Sequence, residues 1–343
     1  MNNKAIIAMS GGVDSSVAAF LTKQNGYELK GVTLSLEVGS EGDISDAKKV
    51  AERMGFPHEV LNLREEFQKE VIDRFIDAYE NSRTPNPCVI CNKYIKFGRL
   101  LDYAEENGYS HTATGHYAQI ECVNGRYILK KGVDKTKDQS YVLYSLTQEQ
   151  LKHSLFPLGS LSKNEVREIA LENGFVNAKK KESQDICFVP DGDYAGFIER
   201  YLGKTYPEGN FVDFDGNVLG RHKGLIRYTI GQRKGLGLAL PKPMYVCKLC
   251  TDNNSVMLGD NADLFSNTLD AYEINLITTD KLDSSIRAEA KVRYSQNAQK
   301  ATVWQTDDNE LHIEFDEPQR AITSGQAVVL YDGETVIGGG TIK

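Results

Sequence analysis

Four of the six cysteines fall into two C-x-x-C pairs, Cys88/Cys91 and Cys247/Cys250, and Cys187 stands alone behind lysines 179–181. Six thiols in 343 residues are too sparse for a disulfide scaffold. They point instead to redox, metal or catalytic use in a reducing compartment. The more telling context is "RTPNPCVICNKYIKFG", Arg83 to Gly98. Its prolines stiffen the loop, and Pro87 stands where a helix could start. A thiol at that end, with Lys93 and Lys96 near in sequence, is expected to have a lowered pKa. A lone cysteine such as Cys187 has the plainer alternative of packing as a small hydrophobe. That alternative is preferred for Cys122 and for Cys247/Cys250, which have no two further ligands nearby to complete a zinc tetrahedron.

The second candidate is "SGGVDSS", Ser10 to Ser16, directly after the apolar run "KAIIAM". A strand entering a Gly-Gly turn that opens a helix offers backbone N–H groups and a positive helix end to an anion. Ser10, Ser15 and Ser16 add hydroxyl donors, and Asp14 could hold magnesium or cap the helix. A tight turn with no ligand would use the same residue types, so two glycines alone decide little. The phosphate loop that moves a γ-phosphoryl group, G-x-x-x-x-G-K-[ST], is absent from the chain.

These groups need elements to hold them. Over the first two hundred residues, strand-like and helix-like segments alternate: "ELKGVTLSL", "SDAKKVAERMG", "HEVLNL", "EEFQKEVIDRFIDAYENS", "IKFGRLLDYAEENGY" and "SHTATGH". This rhythm predicts an α/β domain with a doubly wound parallel sheet, whose ligands gather at the carboxyl ends of its strands. From about Gly203 turn signals crowd in, and from about Leu264 the segments are short and alternating. "YDGE" carries a hairpin signal. The expected organisation is a catalytic domain over 1–203, a small β-rich linking domain over 204–264 and a C-terminal β-barrel over 265–343.

The net charge of −8 argues against a polyanion partner on average, but averages hide patches. No Asp or Glu occurs between Gly216 and Thr251, where Arg221, Lys223, Arg227, Arg233, Lys234, Lys242 and Lys248 all fall. Arg83, Lys93, Lys96 and Arg99 form a second group. Both are expected to face phosphates, with a solvated basic face as the alternative. No apolar stretch approaches the ~20 residues that span a bilayer, and no export signal opens the chain. A cytoplasmic protein is expected.

"SGGVDSS" resembles the modified loop of the ATP pyrophosphatases, the PP-loop enzymes, which cleave ATP between the α- and β-phosphates and adenylate a substrate oxygen. Together with "RTPNPCVICNKYIKFG", "ATGHYA", "KDQSYVLYSL", "AKKKESQDICF", "YTIGQRKGLG", "VRYSQ" and "SGQAVVLYDGETVIGGG", it makes the chain similar to the tRNA-specific 2-thiouridylases almost end to end. The resemblance implies thiolation of the wobble uridine of tRNAs for Lys, Glu and Gln, using ATP, Mg2+ and a persulfide donor such as a cysteine desulfurase or sulfur-relay protein. It implies an ATP site at Ala8, Met9, Ser10, Gly11, Gly12, Val13, Asp14, Ser15, Leu34 and Gly115. The target base would meet Asn86, Pro87 and Cys88. His116, Lys137, Asp138, Gln139, Arg293, Tyr294 and Gln326 would touch tRNA, and Arg233 and Lys234 suit phosphate contact. Cys91 would be the nucleophile and Cys187 the persulfide carrier, the two closing a transient disulfide.

Cys88 departs from the family, many of whose members have Asp there as a proposed proton-transfer group. Cys88, Cys91 and Cys187 would also suffice as ligands of an iron–sulfur cluster with an open fourth position. Two other readings stand beside this one. A PP-loop synthetase adenylating a small molecule would leave the cysteines and barrel idle. A non-catalytic RNA-binding or iron–sulfur protein would leave Ser10 and Asp14 idle.

Overall fold

In the computed structural model, residues 3–36, 41–178, 180 and 186–343 are described. Part of "AKKKESQDICF" and of the loop before Glu41 therefore lies outside the described residues. The first strand, β1 (Lys4–Ala8), is buried through its centre, as an interior parallel strand must be. It is followed by β2 (Glu28–Ser35), β3 (His58–Asn62), β4 (His111–Ala113), the hairpin β5 (Ala118–Val123) and β6 (Arg126–Lys131), and β7 (Ser154–Leu155). β1, β2, β3, β4 and β7 form one parallel sheet in the order β3-β2-β1-β4-β7. The order reverses between β1 and β4, so a ligand crevice opens at the carboxyl ends of those two strands. "SGGVDSS" follows β1 and "TGH" follows β4, so both turns stand at the crevice.

Helices cover the sheet. Val17, Ala18 and Ala19 of helix Val13–Gln24 bury against Ala5, Ile7 and Met9, and Val166 and Ala170 of helix Lys163–Glu172 join the same core. The amphipathic segment expected at 65–82 is helical from Arg64 to Glu80, widened by a π turn at Gln68–Ile72. Helix Pro87–Cys91 starts at the predicted proline, capped by Asn86 Oδ1, which accepts from the Cys88 amide at 3.1 Å.

The second half is β-rich. Strands β8 (Gly209–Val212), β9 (Val218–His222), β10 (Tyr245–Cys250) and β11 (Ser255–Gly259) form a small sheet ordered β10-β11-β8-β9. Strands β12 (Phe265–Leu276), β13 (Ile286–Lys291), β14 (Gln299–Asp307), β15 (Glu310–Arg320), β16 (Ala327–Asp332) and β17 (Thr335–Ile342) follow. Their order β12-β15-β14-β13-β16-β17, with β17 also paired to β12, closes a six-stranded barrel. The turn in "YDGE" joins β16 to β17, with Gly333 at φ +56°.

Hairpin β5–β6 adds onto β17 through Thr335 and Lys130 and so extends the barrel's sheet from the first domain. Leu129, Tyr141, Val329, Tyr331 and Val336 share one core across this joint. Among the described residues no helix is long and apolar enough to cross a membrane. Leu129→Ala removes a fully buried side chain from the joint. It is expected to cost about 2–5 kcal/mol, and calorimetry should show the α/β layer and the barrel losing stability in the same transition.

Candidate active site

After β1 the chain turns sharply. Gly11 sits at φ +70°, and a Cβ there would lie 2.3 Å from the Asp43 carbonyl oxygen, so only glycine fits. Gly12 caps helix Val13–Gln24 without a side-chain hydrogen bond, which leaves the helix's first N–H groups open. The hydroxyls of Ser15 and Ser16 both donate to the Gly12 carbonyl at 3.0 Å. The Ser10 amide donates to Ser15 Oγ at 3.3 Å. From β4, Gly115 presses so close that a Cβ would stand 2.9 Å from the Asp14 carbonyl carbon and the Ser15 nitrogen. The two crevice turns thus pack backbone against backbone.

Asp14 accepts three hydrogen bonds. Oδ1 accepts from Tyr117 Oη at 2.8 Å and from Lys163 Nζ at 2.7 Å, and Oδ2 accepts from the same ammonium at 2.9 Å. The Lys163 side chain is only 8% exposed. Asn177 Nδ2 donates to the Gly11 carbonyl and to Ser16 Oγ, both at 2.9 Å. Lys180 Nζ reaches the Gly11 carbonyl at 3.3 Å while paired with Asp43 and Asp46 at 2.6 and 2.9 Å. The loop that lacked a lysine in its own motif is flanked by two supplied from far along the chain. Sequence reasoning missed Lys163, although a signal existed. Ser162 and Glu165 form a capping box, which places a lysine in a helix's first turn, where the dipole disfavours a cation.

Cys91 packs near the carboxyl ends of β2 and β3, whose Leu34 and Leu61 join its cluster. Cys91 is buried in a cluster with Phe188 and Val189, against which Leu34 packs from β2, whereas Cys88 and Cys187 are exposed. Lys96 lies within electrostatic reach of Cys91, Cys187 and His116, and His116 directly follows Gly115. The expected lowering of the thiol pKa is corrected here. Burial pushes Cys91 up to about 12, with Lys96 opposing only in part. Cys187 is shifted upward too: although the residue as a whole is exposed, neighbouring chain crowds its thiol, and Cys88 adds to the shift. Lys93 faces the ring of Tyr94 at 5.3 Å. Cys122 is exposed and Cys247 and Cys250 are half-buried, so none is the fully buried hydrophobe expected of it.

The residues assigned to tRNA by resemblance divide in two. His116 is buried between Phe97 and Phe156, bonded to Thr114 Oγ1 at 2.8 Å, with its pKa held well below the ordinary value by burial. Asp138 accepts from the amides of Gly132 and Ser140 and from the Ser140 hydroxyl. Gln139 Oε1 accepts from the Tyr117 amide at 3.0 Å. Arg293 Nη2 donates to the carbonyls of Ile230 and Ala321 and to Thr323 Oγ1, which ties the middle domain to the barrel. Gln326 Nε2 donates to the Thr84 carbonyl at 2.7 Å. These five brace the protein. The other group faces outward: Arg233 and Lys234 are exposed, Lys137 is half-buried, and Tyr294 is 45% exposed within electrostatic reach of Cys88.

The basic segments are less free than their composition suggested. Arg227 pairs with Glu199 at 2.5 Å, Lys242 with Asp260 at 2.7 Å and Arg221 with Glu208 at 3.6 Å. Arg83 pairs with Asp77, and Arg99 with Glu66 and Asp102.

Family models cover nearly the whole chain. One described as tRNA methyl transferase HUP domain matches residues 3–191, a tRNA methyl transferase PRC-barrel domain matches 195–260, and an aminomethyltransferase beta-barrel domain matches 266–342. The chain is 51% identical over 356 residues to the tRNA-specific 2-thiouridylase MnmA of Clostridioides difficile, covering 100% of this chain and 99% of that one. It is 48% identical to the protein of the same name from Clostridium acetobutylicum, covering all of both chains. The tRNA-specific 2-thiouridylase MnmA 1 of Caldanaerobacter subterraneus is 49% identical, over 100% of this chain and 98% of that one.

The thiol environments make a direct prediction. Iodoacetamide at neutral pH should label exposed Cys88 and Cys122 while sparing Cys91. Because the Cys91 pKa is raised, its thiolate is scarce at pH 7, and its labelling rate should grow about tenfold per pH unit between 7 and 9 without levelling. Peptide mass spectrometry reads both.

Proposed function

Because the chain belongs to the tRNA-specific 2-thiouridylase family, we propose that it is a tRNA-uridine 2-sulfurtransferase, in which ATP activates the C2 oxygen of a uridine and a protein-bound sulfur replaces it. The observation that carries this is spatial. The open helix end at Gly12 follows the carboxyl end of β1, and Cys91 packs with Leu34 and Leu61 from the carboxyl-terminal parts of β2 and β3, with Cys187 and Lys96 within electrostatic reach.

The chemistry then falls to particular groups. A carbonyl oxygen is a very poor leaving group. The uridine C2 oxygen attacks the α-phosphorus of ATP and pyrophosphate departs, so C2 carries an AMP ester. The first N–H groups of helix Val13–Gln24 and the Ser10 and Ser15 hydroxyls receive the phosphates. Lys163, held by Asp14, supplies the cation that offsets the growing charge on pyrophosphate. The Asp14 side chain is 31% exposed and keeps a carboxylate lone pair beyond those that Lys163 and Tyr117 take, so it would hold the Mg2+ that accompanies ATP.

Sulfur arrives as a persulfide on exposed Cys187. The Cys91 thiolate attacks the inner sulfur, forming a Cys91–Cys187 disulfide and releasing hydrosulfide. The hydrosulfide adds at C2, AMP leaves with the former C2 oxygen, and a thiol reductant restores the two cysteines. Arg233, Lys234 and Tyr294 present the outer surface on which tRNA would lie. The family resemblance supports wobble uridines of tRNAs for Lys, Glu and Gln as targets and a cysteine desulfurase or sulfur-relay protein as donor.

Cys88 keeps a second route in view, an iron–sulfur cluster on Cys88, Cys91 and Cys187. The donor types suit iron, and the three thiols feel one another electrostatically. Yet among the described residues no three His, Cys, Asp or Glu side chains form a metal-ligand group. Anaerobic purification with iron and sulfide analysis separates the routes. The persulfide route expects neither in stoichiometric amount, and finding both would replace it.

With ATP, Mg2+, tRNA and a persulfide donor, the purified protein should form 2-thiouridine and AMP in equal amounts. Cys91→Ser and Cys187→Ser should abolish 2-thiouridine. Lys163→Met should slow AMP release by on the order of 10²–10³. Wild-type protein that yields neither product ends the proposal.

A further inference from the structure

The loop that carries the thiols is fastened by the barrel. The Thr84 amide donates to the Ser324 carbonyl at 2.8 Å, and the Thr84 carbonyl accepts from Gln326 Nε2 at 2.7 Å. Both polar groups of one peptide-bearing residue are thus held by the barrel turn 324–326. Between them stands Gly325 at φ +87°, where a Cβ would lie 2.9 Å from both Arg83 Cβ and the Thr84 nitrogen. Any other residue there would push the two loops apart. A second anchor lies one residue earlier, where Arg83 Nη1 donates to Tyr272 Oη of β12 at 3.0 Å. Thr84 also meets the middle domain through Thr229 Oγ1 at 3.5 Å.

Thr84 is two residues before Asn86, whose side chain caps helix Pro87–Cys91. That helix offers Val89 to the core shared with Ala327, Val329 and Tyr331, and Cys91 to the core on its other side. The barrel therefore grips the thiol helix both by hydrogen bonds at its entry and by packing along one face.

We propose that the barrel turn 324–326 is a positioning device for sulfur transfer, and that Gln326 acts through the Thr84 peptide to hold Cys91 in register. The proposal rests on the sulfurtransferase reading for its activity arm alone.

The test is Gln326→Met in the full-length protein, which keeps the side chain's length and removes its donor. Cys91 alkylation without tRNA should accelerate about tenfold, the equivalent of one lost neutral hydrogen bond. At saturating tRNA, kcat for 2-thiouridine formation should fall by a similar factor, with KM for tRNA within about twofold of wild type. Tyr272→Phe, which loosens the neighbouring anchor, should move alkylation and kcat in the same directions. Unchanged Cys91 alkylation in Gln326→Met, or a tenfold higher KM at unchanged kcat, would overturn the proposal. A wild-type protein that makes no 2-thiouridine would end the sulfurtransferase reading, while the alkylation arm would still decide the clasp.

Discussion

A lysine buried in the first turn of a helix is an arrangement that a chain does not adopt for stability. The helix dipole opposes its charge and burial strips its water. Lys163 is tolerated there because Asp14 receives it with both carboxylate oxygens and Tyr117 closes the same carboxylate. That ion pair fastens helix Lys163–Glu172 to the turn after β1 and fixes the distance between a cation and an open helix end. An incoming triphosphate would compete with Asp14 for the ammonium, and the carboxylate it released would then need another cation. The parallel sheet, the strand reversal between β1 and β4 and the close approach at Gly115 all serve to hold this pair at the mouth of the crevice.

The thiol side follows a contrasting logic. A nucleophile that reacts with a persulfide must not spend it on water or on a passing disulfide. Burial holds Cys91 protonated in the free protein, while Cys187 remains open to a donor. The barrel is the body attached to the thiol helix. Hairpin β5–β6, the Arg293 tie and the contacts at Thr84 make the three parts of the chain one mechanical unit.

Much of this was legible in the sequence. "SGGVDSS" is a local signal, since its glycines, serines and helix start lie within one turn of chain. The alternation of strands and helices and the hairpin at Gly333 are local as well. What escaped is what the fold joins from a distance. Lys163 lies 149 positions from Asp14, and Gln326 lies 242 positions from Thr84. Neither pairing leaves a trace in spacing. The Cys91 pKa was misjudged for the same reason: nearby lysines can be counted along the chain, whereas burial exists only after packing. The basic stretch after Gly216 looked free because Glu199, Glu208 and Asp260, its partners, lie outside it.

The measurement closest to the central claim follows one oxygen atom. tRNA carrying 18O at C2 of the target uridine would be converted in a single turnover with unlabelled ATP, and the AMP examined by mass spectrometry. Adenylation of the base followed by sulfur displacement places the 18O in the phosphate of AMP, one atom for each 2-thiouridine formed. AMP free of label, with 2-thiouridine still produced, would mean that ATP is spent elsewhere and that the base is never esterified.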